Sequence, residues 1–92
     1  MQKTLPDITP EALQDIGRVL AAHGLSERYG VYDVHDHFPV KEGEVMHEIN
    51  DQLGRVIVRR PVSVGDLPAA ARSTAWLVGP DGSTTVDMWC CD

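Results

Sequence analysis

The chain is short of basic residues, of aromatic residues and of long apolar runs. Its 92 residues include eight Lys and Arg against fourteen Asp and Glu, which gives a formal net charge of −6. Nucleic acids and anionic membranes reward clustered Lys and Arg, so we expect neither as a partner. No segment has the roughly 20 apolar residues of a membrane span, and Met1 to Pro6 hold no apolar run typical of a targeting segment. We therefore expect a soluble cytoplasmic protein of bacterial type.

Cysteine is also scarce, and its two copies, Cys90 and Cys91, are adjacent. Neighbouring Cα atoms lie about 3.8 Å apart across a trans peptide, closer than an ordinary disulfide tolerates, so we expect no disulfide that staples the fold. If the last strand continued through both residues, they would point to opposite faces, and at most one could join a site. A vicinal pair can bind soft metals, although a frayed, reactive C-terminus is the commoner explanation.

The motifs of nucleophilic and phosphate chemistry are absent too. The sequence has no Gly-x-Ser-x-Gly elbow, no phosphate-cradling glycine loop and no histidine close in sequence to either cysteine. This argues against a serine or cysteine nucleophile and leaves metal binding or non-catalytic binding as the function classes to weigh.

Helix and strand patterns predict one α+β domain over residues 1–92. Thr9 and Pro10 are typical of a helix start, and Gly24 of a helix end, so we expect a helix from about Pro10 to His23. His23 stands where the helix dipole favours a cation, which is typical of a cap.

Alternating apolar and polar residues predict five strands, at residues 31–38, 44–50, 55–60, 75–78 and 84–90. Short turns join the first three as a meander, residues 61–73 form a loop or short helical turn, and Gly79 to Ser83 close a C-terminal hairpin. We therefore expect the N-terminal helix to pack on an antiparallel sheet of about five strands.

The first predicted strand and its neighbour carry most of the titratable residues. Alternation along a strand over residues 31–38 puts Asp33, His35 and His37 on one face. If His37 pairs with Glu44 across the following hairpin, carboxylates of the second strand join that face. Two histidines with one carboxylate leave coordination positions for water or substrate. We predict a divalent transition metal, zinc first, with iron, nickel or copper as alternatives, bound by His35, His37, Glu44 and Asp33.

Neighbouring charged residues could act on this metal site. If the site is catalytic, Glu48 or Glu42 would move the proton of a metal-bound water in hydrolysis or hydration. Arg55 and Arg59 share the face and could clamp a carboxylate or phosphate. Salt bridges from these arginines to Glu44 and Glu48, guarding the strand against edge pairing, are the more ordinary explanation.

His47 belongs to a different environment. It shares a face with Val45 and Ile49, which predicts a partly buried histidine bonded to a backbone carbonyl rather than a metal ligand. A wet, polar sheet face without any metal is the equally weighted alternative for His35 and His37.

The pattern Gly30-x4-His35-x-His37-x4-Glu42 resembles the first metal motif of cupins, in which two histidines and a glutamate share one strand and its following turn. The spacing before His35 is one residue short, and no histidine follows His47 to supply a second motif. The resemblance implies a metal site and covers less than a fifth of the chain.

A second resemblance rests on Tyr29 to Val31, on His35 to Phe38 and on Glu42 to Val45. These stretches are similar to those of small uncharacterised proteins with a His-x-His-Phe and Gly-Glu signature, some with a later tryptophan like Trp76. The resemblance implies no activity.

Three functional hypotheses follow. The first is a small metal-binding domain, hydrolytic if the metal activates water. The second is a non-catalytic module that docks a protein or peptide on its charged sheet face, beside an apolar patch around Met46, Ile57 and Trp89. The third is a small-molecule pocket between helix and sheet near His47. The edge of the terminal strand could also pair with a second copy, which gives a homodimer.

Overall fold

The computed structural model describes residues 7–92, which contain one α-helix and four β-strands, so the α+β class is confirmed. The elements in chain order are α1 (Pro10–Ala22), β1 (Glu44–Asp51), β2 (Val56–Ser63), a 3-10 helix (Val64–Asp66), β3 (Arg72–Val78) and β4 (Thr84–Cys90). Met1 to Pro6, where we expect no targeting segment, lie outside the described residues. No helix in the described part is both long enough and apolar enough to cross a membrane.

The chain divides into two compact units, the first ending at Asp33 and the second running from Val34 to Asp92. The first unit contains α1, and the second contains all four strands described. Packing of the helix on the sheet within a single domain stays a prediction.

Helix α1 begins and ends where the sequence indicates. The Thr9 hydroxyl accepts a hydrogen bond from the Ala12 amide at 3.1 Å, which satisfies one of the unpaired amides of the first turn. His23 is the C-cap, as its place in the sequence predicts. Gly24 has φ of 71°, a left-handed conformation that glycine adopts without steric cost, and the Leu25 amide donates to a carbonyl of the last turn at 2.8 Å. Together these features form the predicted Schellman ending.

The second unit is built on a sheet with the strand order β2-β1-β4-β3. Strands β1 and β2 form one antiparallel hairpin, and β3 and β4 form another. The hairpins meet where β4 runs parallel to β1, with His47 opposite Trp89 and Glu48 opposite Cys90. The sheet is therefore mixed, and the prediction of a wholly antiparallel sheet is wrong.

The predicted strand over residues 31–38 is also wrong, because these residues form no strand. In the predicted meander this strand pairs with β1. Strand β1 has only two pairing edges, and β2 occupies one while β4 occupies the other. Residues 7–92 therefore contain four strands instead of five, and two hairpins replace the meander.

Both hairpin turns follow their local sequence signals. After β1, the Asp51 carboxylate accepts a hydrogen bond from the Gly54 amide at 3.1 Å. Between β3 and β4, Gly82 has φ of 83°, and the Asp81 carboxylate accepts from the Ser83 amide at 3.0 Å. Hydrogen bonds from the side chain and then the backbone of Ser83 lower the pKa of Asp81 below its ordinary value. Asx-type bonds of this kind favour tight turns.

The most protected part of the sheet lies in its two central strands. Among residues 7–92 the buried side chains are Met88 of β4, 7 % exposed, and His47 of β1, 5 % exposed. His47 pairs with Trp89, the neighbour of Met88, so the two buried residues point to opposite faces. The edge strand β2 is open by contrast and includes Pro61, which an edge position tolerates because one row of its amides needs no partner.

Candidate functional site

Polar and sulfur-bearing side chains meet where the end of β4 pairs with the middle of β1. We call this region the β1–β4 corner, and it comprises His47, Glu48, Arg59, Cys90 and Cys91. Glu48 has Arg59 of β2 on one side and Cys90 of β4 on the other. Side chains of paired residues project to the same face of a sheet, so the strand register itself brings this carboxylate between a guanidinium and a cysteine sulfur.

His47 fixes the chain that follows β4. Its Nε2 lies 2.8 Å from the Cys91 carbonyl oxygen, which can only accept, so Nε2–H is the donor. The ring is buried and satisfied by a backbone carbonyl, as predicted from its alternation with Val45 and Ile49. His47 is therefore a positioning residue, and its bond reaches across 44 residues of sequence.

Glu48 is held by an ion pair. The Arg59 Nε donates to the Glu48 Oε1 at 2.9 Å, which confirms the ordinary explanation of that arginine as a salt-bridge partner on an edge strand. The Glu48 side chain is 21 % exposed, and the Arg59 side chain is 45 % exposed. Arg55 lies in the turn before β2 with φ of 56°.

Cys90 and Cys91 form a disulfide between neighbouring residues. The Cα distance across adjacent residues argued against an ordinary disulfide, but the two sulfurs are bonded here with the Cα atoms 3.1 Å apart. The disulfide closes no long loop of chain, so it does not staple the fold. Both residues are half-buried.

Glu48, Cys90 and Cys91 form a group that could hold a metal ion. Their ligand atoms lie within 4.8 Å of one another, and no other His, Cys, Asp or Glu trio comes as close in the described part of the chain. Both sulfurs belong to the group because Cys91 lies beyond the end of β4, so the alternation expected of a continuing strand does not apply to it. The thiolate is the metal ligand, so the group can act only when the disulfide is reduced.

The predicted histidine pair is close but lies on no strand. The His35 and His37 ring centroids are 4.9 Å apart with the rings edge to face, and both side chains are exposed. Alternation along a strand therefore does not explain their proximity.

The carboxylates predicted to join the histidines are placed in other ways. Glu44 begins β1, and its Oε1 accepts a hydrogen bond from the Lys41 amide at 2.9 Å. Glu42 is exposed in the turn before β1, and Asp33 belongs to the first unit of the chain. Among the residues described, these histidines belong to no trio of closely spaced metal ligands.

Sequence reasoning identified each member of the β1–β4 corner but did not connect Glu48 with the cysteines. Glu48 lies beside Cys90 because β1 pairs in parallel with β4, and no turn motif or short spacing in the sequence predicts that pairing. The antiparallel pairing of β3 with β4 places Arg72 opposite Cys90, and the sequence did not single out this arginine.

Comparison with protein-family models, with curated proteins and with solved structures finds no match to this chain. The resemblances to the first cupin metal motif and to the His-x-His-Phe proteins stay hypotheses. His35 and His37 differ from the cupin arrangement in lying outside any strand. The functional proposal therefore rests on the geometry of the site.

Proposed function

We propose that this domain binds a divalent transition metal, zinc first, at the β1–β4 corner. The ligands are the Glu48 carboxylate and, in the reduced chain, the Cys90 and Cys91 thiolates. The observation that supports this is the mutual distance of the three ligand atoms, within 4.8 Å. In a tetrahedral zinc site with Zn–S of about 2.3 Å and Zn–O of about 2.0–2.2 Å, ligand atoms are about 3.5–3.8 Å apart. After reduction, the two sulfurs would have to separate from bonding distance to about 3.8 Å to bind one zinc ion.

The surroundings suit a structured metal site. Arg59 orients the Glu48 carboxylate, and such outer partners of a ligand commonly raise metal affinity about 10–100-fold. His47 fixes the backbone at Cys91, so the ligands come from chain segments already held together. Half-burial of the three residues limits competition from water without closing the site.

We further propose that the bound metal catalyses hydrolysis. Three protein ligands leave a fourth tetrahedral position for water, whose pKa a bound zinc lowers. In this reaction Glu42 moves the proton, because Glu48 is already a metal ligand. Arg55 or Arg59 binds an anionic substrate group. The proximity of Arg59 to the metal-binding group favours it over Arg55 for that role.

His35 and His37 are the second hypothesis for the metal ligands, with Glu44 or Asp33 as the carboxylate. The 4.9 Å separation of their ring centroids favours it. Two neighbouring imidazoles suit zinc, iron, copper or nickel, and thiolates suit zinc as well, so both hypotheses put zinc first. Glu48 keeps its predicted proton-transfer role only if these two histidines hold the metal.

A binding module is the alternative function, and the exposure of β2 favours it. Val56, Ile57 and Val58 are 50 %, 61 % and 47 % exposed, so both faces of this edge strand present apolar surface. A protein, a peptide or a second copy of the chain could add a strand there. Met46 and Trp89, predicted to share the patch, are half-buried.

Metal analysis of protein purified without an affinity tag tests the proposal. The chain is kept reduced and anaerobic, loaded with zinc, desalted and measured for metal per chain. We expect one zinc in the wild type, almost none in a Cys90→Ser, Cys91→Ser variant, and one in a His35→Ala, His37→Ala variant. Circular dichroism of each variant checks that the fold is retained.

The two variants separate the hypotheses. Loss of zinc only from the histidine variant would move the site to His35 and His37. Equal and negligible zinc in all three proteins would refute metal binding and leave the binding module as the function to pursue.

A further inference from the structure

We infer that the thiol–disulfide state of Cys90 and Cys91 switches metal binding at the β1–β4 corner on and off, with a low-molecular-weight disulfide as the oxidant and a dithiol as the reductant. This inference rests on the metal site proposed above. It adds a second chemistry to that site, thiol–disulfide exchange, and names the class of its co-reactants.

The switch follows because the Cys90 and Cys91 sulfurs can either form a disulfide or bind a metal, but not both at once. The same sulfurs form the disulfide and belong to the metal-binding group with Glu48. A disulfide sulfur carries no negative charge to donate to a metal, and a thiolate bound to a metal is not available for a disulfide. Oxidation therefore leaves Glu48 as the one remaining member of the group.

The register of the sheet places one arginine, Arg72, beside Cys90. Arg59, Glu48, Cys90 and Arg72 occupy paired positions across the four strands β2, β1, β4 and β3. Paired side chains project to one face, so Arg72 flanks Cys90 on one side while the Arg59–Glu48 ion pair flanks it on the other. A neighbouring cation and partial exposure are typical of reactive cysteines, and Cys90 has both.

The anchor of this segment does not depend on sulfur chemistry. His47 holds the Cys91 backbone carbonyl and not its side chain. The exchange of a sulfur–sulfur bond for two sulfur–metal bonds therefore leaves this hydrogen bond available. The reduced and oxidised chains can keep the same strand pairing while the ligand atoms change.

The oxidising step balances with a small disulfide, RSSR. One thiolate attacks RSSR, forms a mixed disulfide and releases one RS⁻. The second thiolate attacks the protein sulfur of the mixed disulfide, closes the Cys90–Cys91 bond, releases a second RS⁻ and frees the divalent ion. The protein loses two electrons, RSSR gains two, and a dithiol reverses the step by the same exchange.

Zinc release during oxidation tests the switch. Reduced wild-type protein is loaded with zinc, desalted and titrated anaerobically with oxidised glutathione. A colorimetric chelator reports free zinc, and intact-mass spectrometry reports the oxidation state. We expect one zinc released per disulfide formed, a mass lower by two hydrogen atoms relative to the reduced chain, and rebinding of zinc after dithiothreitol is added and desalted away.

Two variants serve as controls. His35→Ala, His37→Ala retains both thiols and should release zinc like the wild type. Cys91→Ser retains one thiol and should stop at a mixed disulfide, with the added mass of one glutathionyl group.

Each other outcome overturns the inference in a distinguishable way. Zinc that stays bound while the disulfide forms would refute the switch but leave metal binding by other ligands intact. A wild-type chain that stops at the mixed disulfide would refute closure of the vicinal bond. Failure of the reduced wild type to load zinc at the first step would refute the metal site itself.

Discussion

The β1–β4 corner and the His35–His37 pair both bring metal-binding residue types close together, but they do so by different means. The corner is set by parallel pairing of β1 with β4, by a buried histidine that bonds a residue 44 positions away, and by an ion pair. The histidine pair is local, exposed and outside any strand. Ligand side chains that the fold already holds in place lose less conformational entropy on binding an ion than side chains that move freely at the surface. The comparison therefore favours the corner, although the histidines are the more conspicuous in the sequence.

The largest expected difference between the two regions is in metal-dependent stability. A metal that binds only the folded state stabilises it by about 2.7 kcal/mol at a free concentration 100-fold above its Kd. We expect reduced wild type and His35→Ala, His37→Ala to show this rise in Tm with zinc, and a chelator to reverse it. Cys90→Ser, Cys91→Ser should melt identically with and without zinc. A zinc-dependent Tm in the cysteine variant would remove the distinction between the regions.

The next largest difference is between His47 and His35 in their contribution to the stability of the metal-free protein. We expect His47→Ala to lower the free energy of unfolding by about 1–3 kcal/mol, because it leaves the Cys91 carbonyl without its partner and empties a buried site. His35→Ala, at an exposed position, should change it by less than about 0.5 kcal/mol. Urea denaturation of the oxidised proteins measures both. Equal effects would mean that His47 does not anchor the corner.

A smaller effect is expected for the ion pair of the corner. Arg59→Ala should cost about 0.5 kcal/mol or less, and the cost should shrink at high salt, because Arg59 is partly solvent-exposed. The matched control is Arg18→Ala, which removes the more exposed Arg18–Asp15 pair of α1 and should cost nearly nothing. Denaturation at two salt concentrations compares them, and a larger cost for Arg18→Ala would contradict the ranking.

The smallest effect lies outside both regions, in the β3–β4 turn. Hydrogen bonds from Ser83 hold the folded-state pKa of Asp81 below its ordinary value, so ionised Asp81 stabilises the turn above the ordinary carboxyl pKa. The contribution should disappear as the pH falls through the lowered folded pKa. We expect a small Tm difference between wild type and Asp81→Asn at neutral pH that vanishes in strong acid. If the Tm difference between the two proteins grew on acidification, the pKa of Asp81 would be raised in the folded state and the prediction would be wrong.

Local signals predicted the local structure. The Thr9 cap, the Gly24 ending and the turn from Gly79 to Ser83 each depend on residues a few positions apart, and the structure confirms them. The limits of β4 agree with the predicted strand for the same reason, because the turn fixes its start.

Strand order could not be predicted in this way. Alternation over residues 31–38 was compatible with a strand, but a strand needs a free edge, and β4 takes the edge of β1 that this one required. The choice between two partners for one edge depends on packing over the whole sheet. The candidate site shows the same limit, because Glu48 and Cys90 were both visible in the sequence while their proximity was not.

The parallel pairing of β1 with β4 also constrains how the protein folds during synthesis. The hairpin of β1 and β2 is made first, and it leaves the ribosome with one side of its central strand unpaired. That backbone edge stays open until the later hairpin has been translated, which exposes it to intermolecular strand pairing. The order of synthesis thus leaves this edge of β1 unprotected in the interval between the two hairpins.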